Sequence, residues 1–284
     1  IIHFFLEKEY NWIAMFKKTE CDHCKNEYDE TFSECPYCHA PNESLDPNFK
    51  NIQMMSWPKQ AGLFAMGLGG FELLGILISL IFSATGLAKL ETALVNMLLN
   101  TIAYTVLFVC LLLIANKDLI KIGKSFKSWM PYVAGACCFG FIIVTGIIYS
   151  YILNAAGVKI INNDNQQSID VTTRNFTLTS MIIFGIVGPI CEELTYRVGL
   201  FSFLKRISKW LAYPAAILVF ALIHFNFTAT SLTNELFNLP YYILAGFALT
   251  FTYDKFGFAG STVAHILNNI ISLIPAAVAL GVFH

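Results

Sequence analysis

Residues 188–197 read GPICEELTYR, and they set two adjacent carboxylates and an arginine inside a segment, residues 177–204, that is otherwise apolar. Each charge placed in membrane hydrocarbon costs about 2.5–3.5 kcal/mol on insertion scales. On a helical wheel Glu193 and Arg197 lie four residues apart on one face, where an ion pair is expected. Glu192 points about 100° away from Glu193, so the wheel leaves Glu192 as the carboxylate available for chemistry.

Pro189 lies just upstream of the two glutamates. Its ring nitrogen cannot donate a hydrogen bond to the carbonyl of Gly185, so the helix is expected to kink or open at this point. Gly185 and Gly188 carry no side chains and leave room for a neighbouring helix or for the backbone of a substrate.

The composition is that of a membrane protein. Of the 284 residues, 56% are hydrophobic and only 13% are charged, and several apolar runs reach the length that crosses a bilayer. The formal net charge of −1 argues against nucleic acid as a partner. The predicted fold class is therefore an all-α polytopic membrane protein with about seven transmembrane helices, at about residues 61–85, 92–115, 131–157, 177–204, 212–231, 237–253 and 258–282.

The distribution of basic residues predicts the orientation in the membrane. Alternate connections between the spans differ sharply in their content of lysine and arginine, and the richer side faces the cytosol. The richer connections carry Lys117, Lys121, Lys124, Lys127, Lys205, Arg206, Lys209 and Lys255, whereas the others carry Lys89, Lys159 and Arg174. A multi-pass protein of the cell membrane with a cytosolic N-terminus is expected.

Two C-x-x-C motifs near the N-terminus predict a zinc ribbon. Cys21 and Cys24 are followed after ten residues by Cys35 and Cys38, which supplies four thiolates for tetrahedral zinc. Disulfides or free thiols are the alternative. Zinc-binding thiolates require a reducing compartment, so this motif also favours a cytosolic N-terminus. The zinc is expected to be structural.

The chain is divided accordingly into an N-terminal segment (1–20), the ribbon (21–40), a linker (41–60) and a transmembrane domain (61–284) whose motifs lie within about 177–282.

Other polar residues are expected at the depth of Glu192. His224 follows Phe220 by one turn, and His265 precedes Asn269 by one turn. At 1.5 Å per residue, Glu192, His224 and Asn269 lie roughly 17–20 Å from the cytosolic ends of their helices, and His265 about 10–15 Å. All four are expected to meet in one layer between the midplane and the cytosolic surface. Glu72 in the first span either faces the bundle interior as a site residue or snorkels or pairs structurally.

This set of residues suits two kinds of hydrolysis. A carboxylate beside a histidine can take a proton from water, while a second histidine and an asparagine stabilise the oxyanion that forms. Alternatively, Glu192, His224 and His265 bind a catalytic zinc with water as the fourth ligand. The sequence lacks H-E-x-x-H, so the usual zincin arrangement is excluded.

At these positions the chain resembles the family of CAAX-processing and bacteriocin-processing intramembrane proteases. That family is marked by E-E-x-x-x-R, F-x-x-x-H and H-x-x-x-N on successive core helices, and here the three motifs begin at Glu192, Phe220 and His265. The resemblance covers roughly residues 131–282, so it does not extend to the ribbon.

The resemblance implies a role for each motif residue. Glu192 would activate water with help from His224, and His265 and Asn269 would stabilise the oxyanion. Glu193 and Arg197 would support them, and no catalytic metal is expected. Family members process prenylated C-terminal motifs, or are linked to maturation of pheromones and bacteriocins or to self-immunity, so the expected partner is a membrane-associated peptide or protein.

Two other classes of function stay open at this point. One is a protein of the same fold that no longer cleaves and acts as an immunity factor or scaffold. The other is a transporter or channel, although no internal repeat is visible in the spans. The residue usage, rich in Ile, Asn, Lys and Phe, favours a bacterial source.

Overall fold

The computed structural model describes residues 18–30, 32, 34–43, 55–159 and 161–278. Most of the predicted N-terminal segment and linker, and the last residues of the predicted seventh span, lie outside this part of the chain. The described elements are the strands β1 (Lys18–Glu20) and β2 (Glu27–Asp29) and the helices α1 (Trp57–Thr85), α2 (Thr92–Ala115), α3 (Leu119–Lys124), α4 (Met130–Ala155), α5 (Asp164–Asn175), α6 (Thr177–Lys205), α7 (Lys209–Leu222) and α8 (Leu232–Val278). Short 3₁₀ turns occupy Leu87–Lys89, Asn116–Asp118 and Ser125–Lys127.

Five helical segments of the described chain are long and apolar enough to cross a membrane: α1, the segment Thr92–Lys127 that contains α2 and α3, α4, α6 and α8. The last of these is folded back on itself. Gly257 has φ 76° and ψ −172°, a conformation outside the helical region, and the Tyr241 hydroxyl donates a hydrogen bond of 3.2 Å to the Asn268 side chain across the two legs. When the two legs of α8 are counted separately and α7 is added, the described chain contains seven helical segments in the bundle. The predicted all-α polytopic fold is confirmed.

The predicted fifth span, residues 212–231, has the wrong bounds. Helix α7 has only 14 residues and ends at Leu222. Beyond it, the backbone N–H of Asn226 donates to the buried carboxylate of Glu235 at 2.9 Å, and the Asn226 amide donates to Asp164 at 3.0 Å. Polar side chains that bond the backbone and each other in this way compete with helical hydrogen bonds, so the chain leaves the helix.

The polar connection between the predicted third and fourth spans, residues 158–176, contains the 12-residue helix α5. Asn163 caps its first turn, because its side-chain oxygen accepts a hydrogen bond of 3.0 Å from the backbone N–H of Gln166.

Helix α6 opens around Pro189, as the sequence predicts. Only Gly188–Glu192 is α-helical there, and i→i+5 turns flank it at Ile183–Val187 and Glu193–Phe201. Such π-helical turns rotate the side chains away from an ideal wheel and are frequent at functional sites.

A glycine in α1 lets that helix contact α6 beside the two glutamates. A Cβ atom at Gly67 would lie 1.8 Å from the Thr195 hydroxyl oxygen. Only glycine allows this approach, and it brings the middle of α1 next to the motif segment of α6.

Candidate active site

Glu193 and Arg197 form a fully buried ion pair within α6. The guanidinium Nη1 lies 3.5 Å from Oε1 of Glu193, and both side chains are 0% exposed. The guanidinium also lies 4.4 Å from the centre of the Phe220 ring, a favourable position for a cation. The same Glu193 oxygen accepts a hydrogen bond of 2.9 Å from Nδ1 of His265. Glu193 therefore neutralises the arginine and orients His265 at the same time.

Glu192 is the carboxylate that faces open space. It lines a cavity of about 260 Å³ inside the bundle, and its Oε2 lies 3.7 Å from Nε2 of His265. Within the described part of the chain, this oxygen has no hydrogen-bond partner. Oε2 itself is buried, but the side chain as a whole is 16% exposed, and a carboxylate that lines a cavity can accept a proton from a bound molecule.

His224 presents one defined ring nitrogen to the same cavity. Its Nδ1 lies 2.8 Å from the carbonyl oxygen of Phe220. Because a carbonyl can only accept, Nδ1 carries the hydrogen and Nε2 is left as an acceptor. The ring stacks on Tyr242 with 4.5 Å between centroids and 19° between planes, which fixes its orientation.

Asn269 also lines the cavity, on the second leg of α8. Its side-chain nitrogen donates a hydrogen bond of 3.0 Å to the carbonyl of Phe184, in the opened part of α6. An amide has two N–H groups, so one remains for another acceptor.

The cavity reaches from these residues towards the end of the bundle at which α6 begins. Asn165, Gln166 and Ser168 of α5 form part of its wall. Helix α5 leads into the first residue of α6, whereas the ribbon contacts Arg206, just after the last. Helix α6 has 29 residues and therefore spans about 43 Å from one end to the other. The cavity extends away from the ribbon, beyond the layer in which the sequence predicts the motif residues to lie.

The four ribbon cysteines are arranged as a metal site. Their sulfur atoms all lie within 4.8 Å of one another, and no other group of three or more potential ligands in the described residues is this close. The pairs Cys21–Cys38 and Cys24–Cys35 are 3.5 Å apart, close to the roughly 3.8 Å that four bonds of 2.3 Å to zinc imply. The backbone N–H of Asn26 lowers the pKa of the Cys24 thiol to about 6, which favours the thiolate that binds metal.

The ribbon is attached to the helical bundle by a buried arginine. Arg206 pairs with Asp29 of β2 and also donates hydrogen bonds to the side chain of Gln60 at 2.8 Å and to the carbonyl of Met55 at 2.7 Å. Burial lowers the pKa of Arg206, and the Asp29 carboxylate opposes this effect. The ribbon is thereby joined to both α1 and the end of α6.

Comparison with known proteins agrees with the motifs. A family model described as type II CAAX prenyl endopeptidase Rce1-like matches residues 174–271. The UPF0177 protein YvdC of Lactococcus lactis is 27% identical over 188 residues, which are 63% of this chain and 67% of that protein. The UPF0177 protein YbdI of the same organism is 31% identical over 133 residues, which are 44% of this chain and 72% of that protein.

The chain belongs to the family of CAAX-processing and bacteriocin-processing intramembrane proteases. An uncharacterized protein of Mycoplasma capricolum is 21% identical over 192 residues, 63% of this chain, and the match spans only about half of that relative, 54% of its length. No solved structure matches the chain.

In this family member the structure brings the motif residues together and adds two side chains that the sequence interpretation missed. Asn163 donates a hydrogen bond of 2.7 Å to the carbonyl of His224, and the Tyr242 hydroxyl donates one of 3.2 Å to Asn163. Tyr242 thus stacks on the His224 ring and also bonds Asn163, which in turn bonds the His224 backbone. Asn163 could have been found as the cap residue before Asp164, but no local signal links Tyr242 to His224.

Proposed function

We propose that this protein is an intramembrane endopeptidase that hydrolyses a peptide bond with water activated by Glu192. The observation that carries the proposal is the unbonded Glu192 carboxylate, which lines one cavity with His224 and Asn269 while its Oε2 lies 3.7 Å from His265.

In the proposed reaction, Glu192 and Nε2 of His224 each accept a hydrogen bond from a water molecule in the cavity. Glu192 takes a proton as the water oxygen bonds to the substrate carbonyl carbon, and the carbonyl oxygen becomes an oxyanion. His265 and the free N–H of Asn269 donate hydrogen bonds to that oxyanion. The proton on Glu192 then passes to the leaving nitrogen as the C–N bond breaks.

The balance of charge supports this role for His265. Glu192 and Glu193 contribute two negative charges, and Arg197 contributes one positive charge. If His265 is protonated, its Nδ1–H bonds Glu193, its Nε2–H lies 3.7 Å from Oε2 of Glu192, and the buried group is neutral. Neutrality lowers the cost of keeping four ionisable groups inside the bundle.

The spacing of the groups favours the metal-free hypothesis. Ligands of one zinc ion must bring their donor atoms together. Among the residues that the structure describes, only the four ribbon cysteines have ligand atoms all within 4.8 Å of one another, so Glu192, His224 and His265 do not meet that condition.

The test is peptidase activity of the purified protein in detergent on a library of peptides. Glu192→Gln keeps the shape of the side chain but cannot take the proton, so kcat is expected to fall about 10²–10⁴-fold. Glu91→Gln, in the exposed connection between α1 and α2, is the matched control and should retain activity.

Metal content measured on the same samples separates the remaining alternatives. About one zinc per chain in both proteins supports a structural ribbon and a metal-free reaction. About two zinc ions, one of them lost on replacing His224 or His265, would establish a metalloprotease instead. Equal cleavage by the wild type and Glu192→Gln would overturn the assigned base, and no cleavage by the wild type would favour a silent protein of the same fold.

A further inference from the structure

A second carboxylate, Glu72, lines the same cavity as Glu192. Both glutamates lie near the middle of a 29-residue helix, Glu72 in α1 and Glu192 in α6. The close contact of Gly67 with Thr195 sets these two helix segments side by side. Glu72 is therefore a mid-membrane carboxylate that the packing of α1 brings to the wall of the candidate active site.

Glu72 has no role in holding the fold together. Across residues 18–30, 32, 34–43, 55–159 and 161–278, no hydrogen bond or ion pair involves its carboxylate, and the side chain is exposed. An acidic residue within a transmembrane segment normally pairs with a cation or serves a functional pathway. The described chain supplies no cation to Glu72, so its carboxylate is available to a positively charged ligand.

The lining of the cavity fits a cation. It contains two glutamates and no lysine or arginine. Aromatic rings line the cavity together with Glu72. They are Phe71, Tyr104 and Tyr196, and the ring of Phe71 lies 4.8 Å from that of Tyr104 between centroids. Aromatic faces attract ammonium and guanidinium groups, so carboxylate and rings together favour a positively charged ligand over a neutral or anionic one.

We propose that Glu72 forms a subsite for a basic side chain, lysine or arginine, of the peptide that Glu192 cleaves. This inference rests on the proposed peptidase function and names the class of substrate for the same cavity. The amide groups of Asn165 and Gln166, which also line the cavity, supply donors and acceptors for the backbone of such a peptide.

The experiment compares N-acetylated peptides that carry lysine, norleucine or glutamate at each position in turn. Norleucine matches the lysine stem without its charge. The wild type is expected to prefer lysine at one position, and Glu72→Gln is expected to reduce the lysine-to-norleucine ratio of kcat/KM by roughly 10- to 100-fold. Glu72→Lys should reverse the preference towards glutamate. Glu91→Gln is the matched control and should leave the ratio unchanged.

A binding measurement separates this proposal from the proposed reaction. In a Glu192→Gln background, a fluorescent lysine-containing peptide should bind more tightly than its norleucine counterpart, and adding Glu72→Gln should abolish the difference. That result supports the subsite even when no peptide is cleaved. Equal affinity for the two peptides in the Glu192→Gln protein, or an unchanged ratio in Glu72→Gln, would overturn it.

Discussion

The buried pair of Glu193 and Arg197 allows a quantitative prediction about charge balance inside the bundle. The two groups are 3.5 Å apart and fully buried, and at an effective dielectric constant of about 20 this separation corresponds to roughly 4.7 kcal/mol of attraction. Glu193→Gln keeps the shape and an oxygen acceptor for His265 but removes the negative charge. Because Arg197 then stays fully buried but loses its ion-pair partner, we expect the free energy of unfolding to fall by about 3–5 kcal/mol.

A double-mutant cycle measures how much of that loss belongs to the pair. In the protein with both Glu193→Gln and Arg197→Met, no guanidinium is left unpaired, and methionine fills much of the vacated volume. The double variant is therefore expected to lie within about 1–2 kcal/mol of the wild type and to be more stable than Glu193→Gln alone.

The assay is titration of SDS into mixed micelles, with loss of helix followed by circular dichroism. Glu27→Gln, which removes one partner of an exposed pair with Lys18 in the ribbon, is the control and should change stability little. A Glu193→Gln protein as stable as the wild type, or a double variant less stable than the single one, would refute the charge-balance argument.

Three further predictions concern the ribbon and the cavity. Cys35→Ser should lower zinc from about one ion per chain to none while peptidase activity persists, because the thiolates lie apart from the motif helices; activity that disappears with the ribbon and returns on adding zinc would contradict this. Asp29→Asn removes the carboxylate that pairs with Arg206 and should lower the free energy of unfolding by about 1–3 kcal/mol, as read from SDS titration; a loss no larger than that of the exposed Glu27→Gln would count against docking through this pair. A cysteine placed at Asn165 should react with an impermeant maleimide in intact cells and one at Lys127 only after lysis, each compared with the parent chain; the opposite pattern would invert the assigned orientation.

The bounds of the first four spans are largely readable from the sequence, because an apolar run of sufficient length must form a helix in a membrane. The predicted 92–115 and 177–204 agree with α2, Thr92–Ala115, and α6, Thr177–Lys205, to within one residue. The fifth span was overextended, since hydropathy does not register the hydrogen bonds that Asn226 makes with Asp164 and Glu235. Asp164 is 62 residues away in sequence, and Glu235, nine residues away, lies beyond the predicted span.

Among the motif residues too, the local contact could be predicted from the sequence and the distant one could not. The spacing of four residues predicted the pairing of Glu193 with Arg197, and the structure contains it. The same spacing could not show that Glu193 also accepts a hydrogen bond from His265, 72 residues further along the chain. That contact depends on the opened turns of α6 and on the reversal of α8 at Gly257.

The sequence by itself determined the membrane fold, the cysteine ligand set and the motif residues, because hydrophobic length, C-x-x-C spacing and helical periodicity are local properties. The tertiary structure alone decided that Glu192 keeps an unbonded oxygen, that Glu72 reaches the same cavity and that Tyr242 supports His224. Each of these depends on how helices distant in sequence approach one another, which is set by glycine contacts, π-helical turns and one chain reversal whose consequences appear only once the helices are packed.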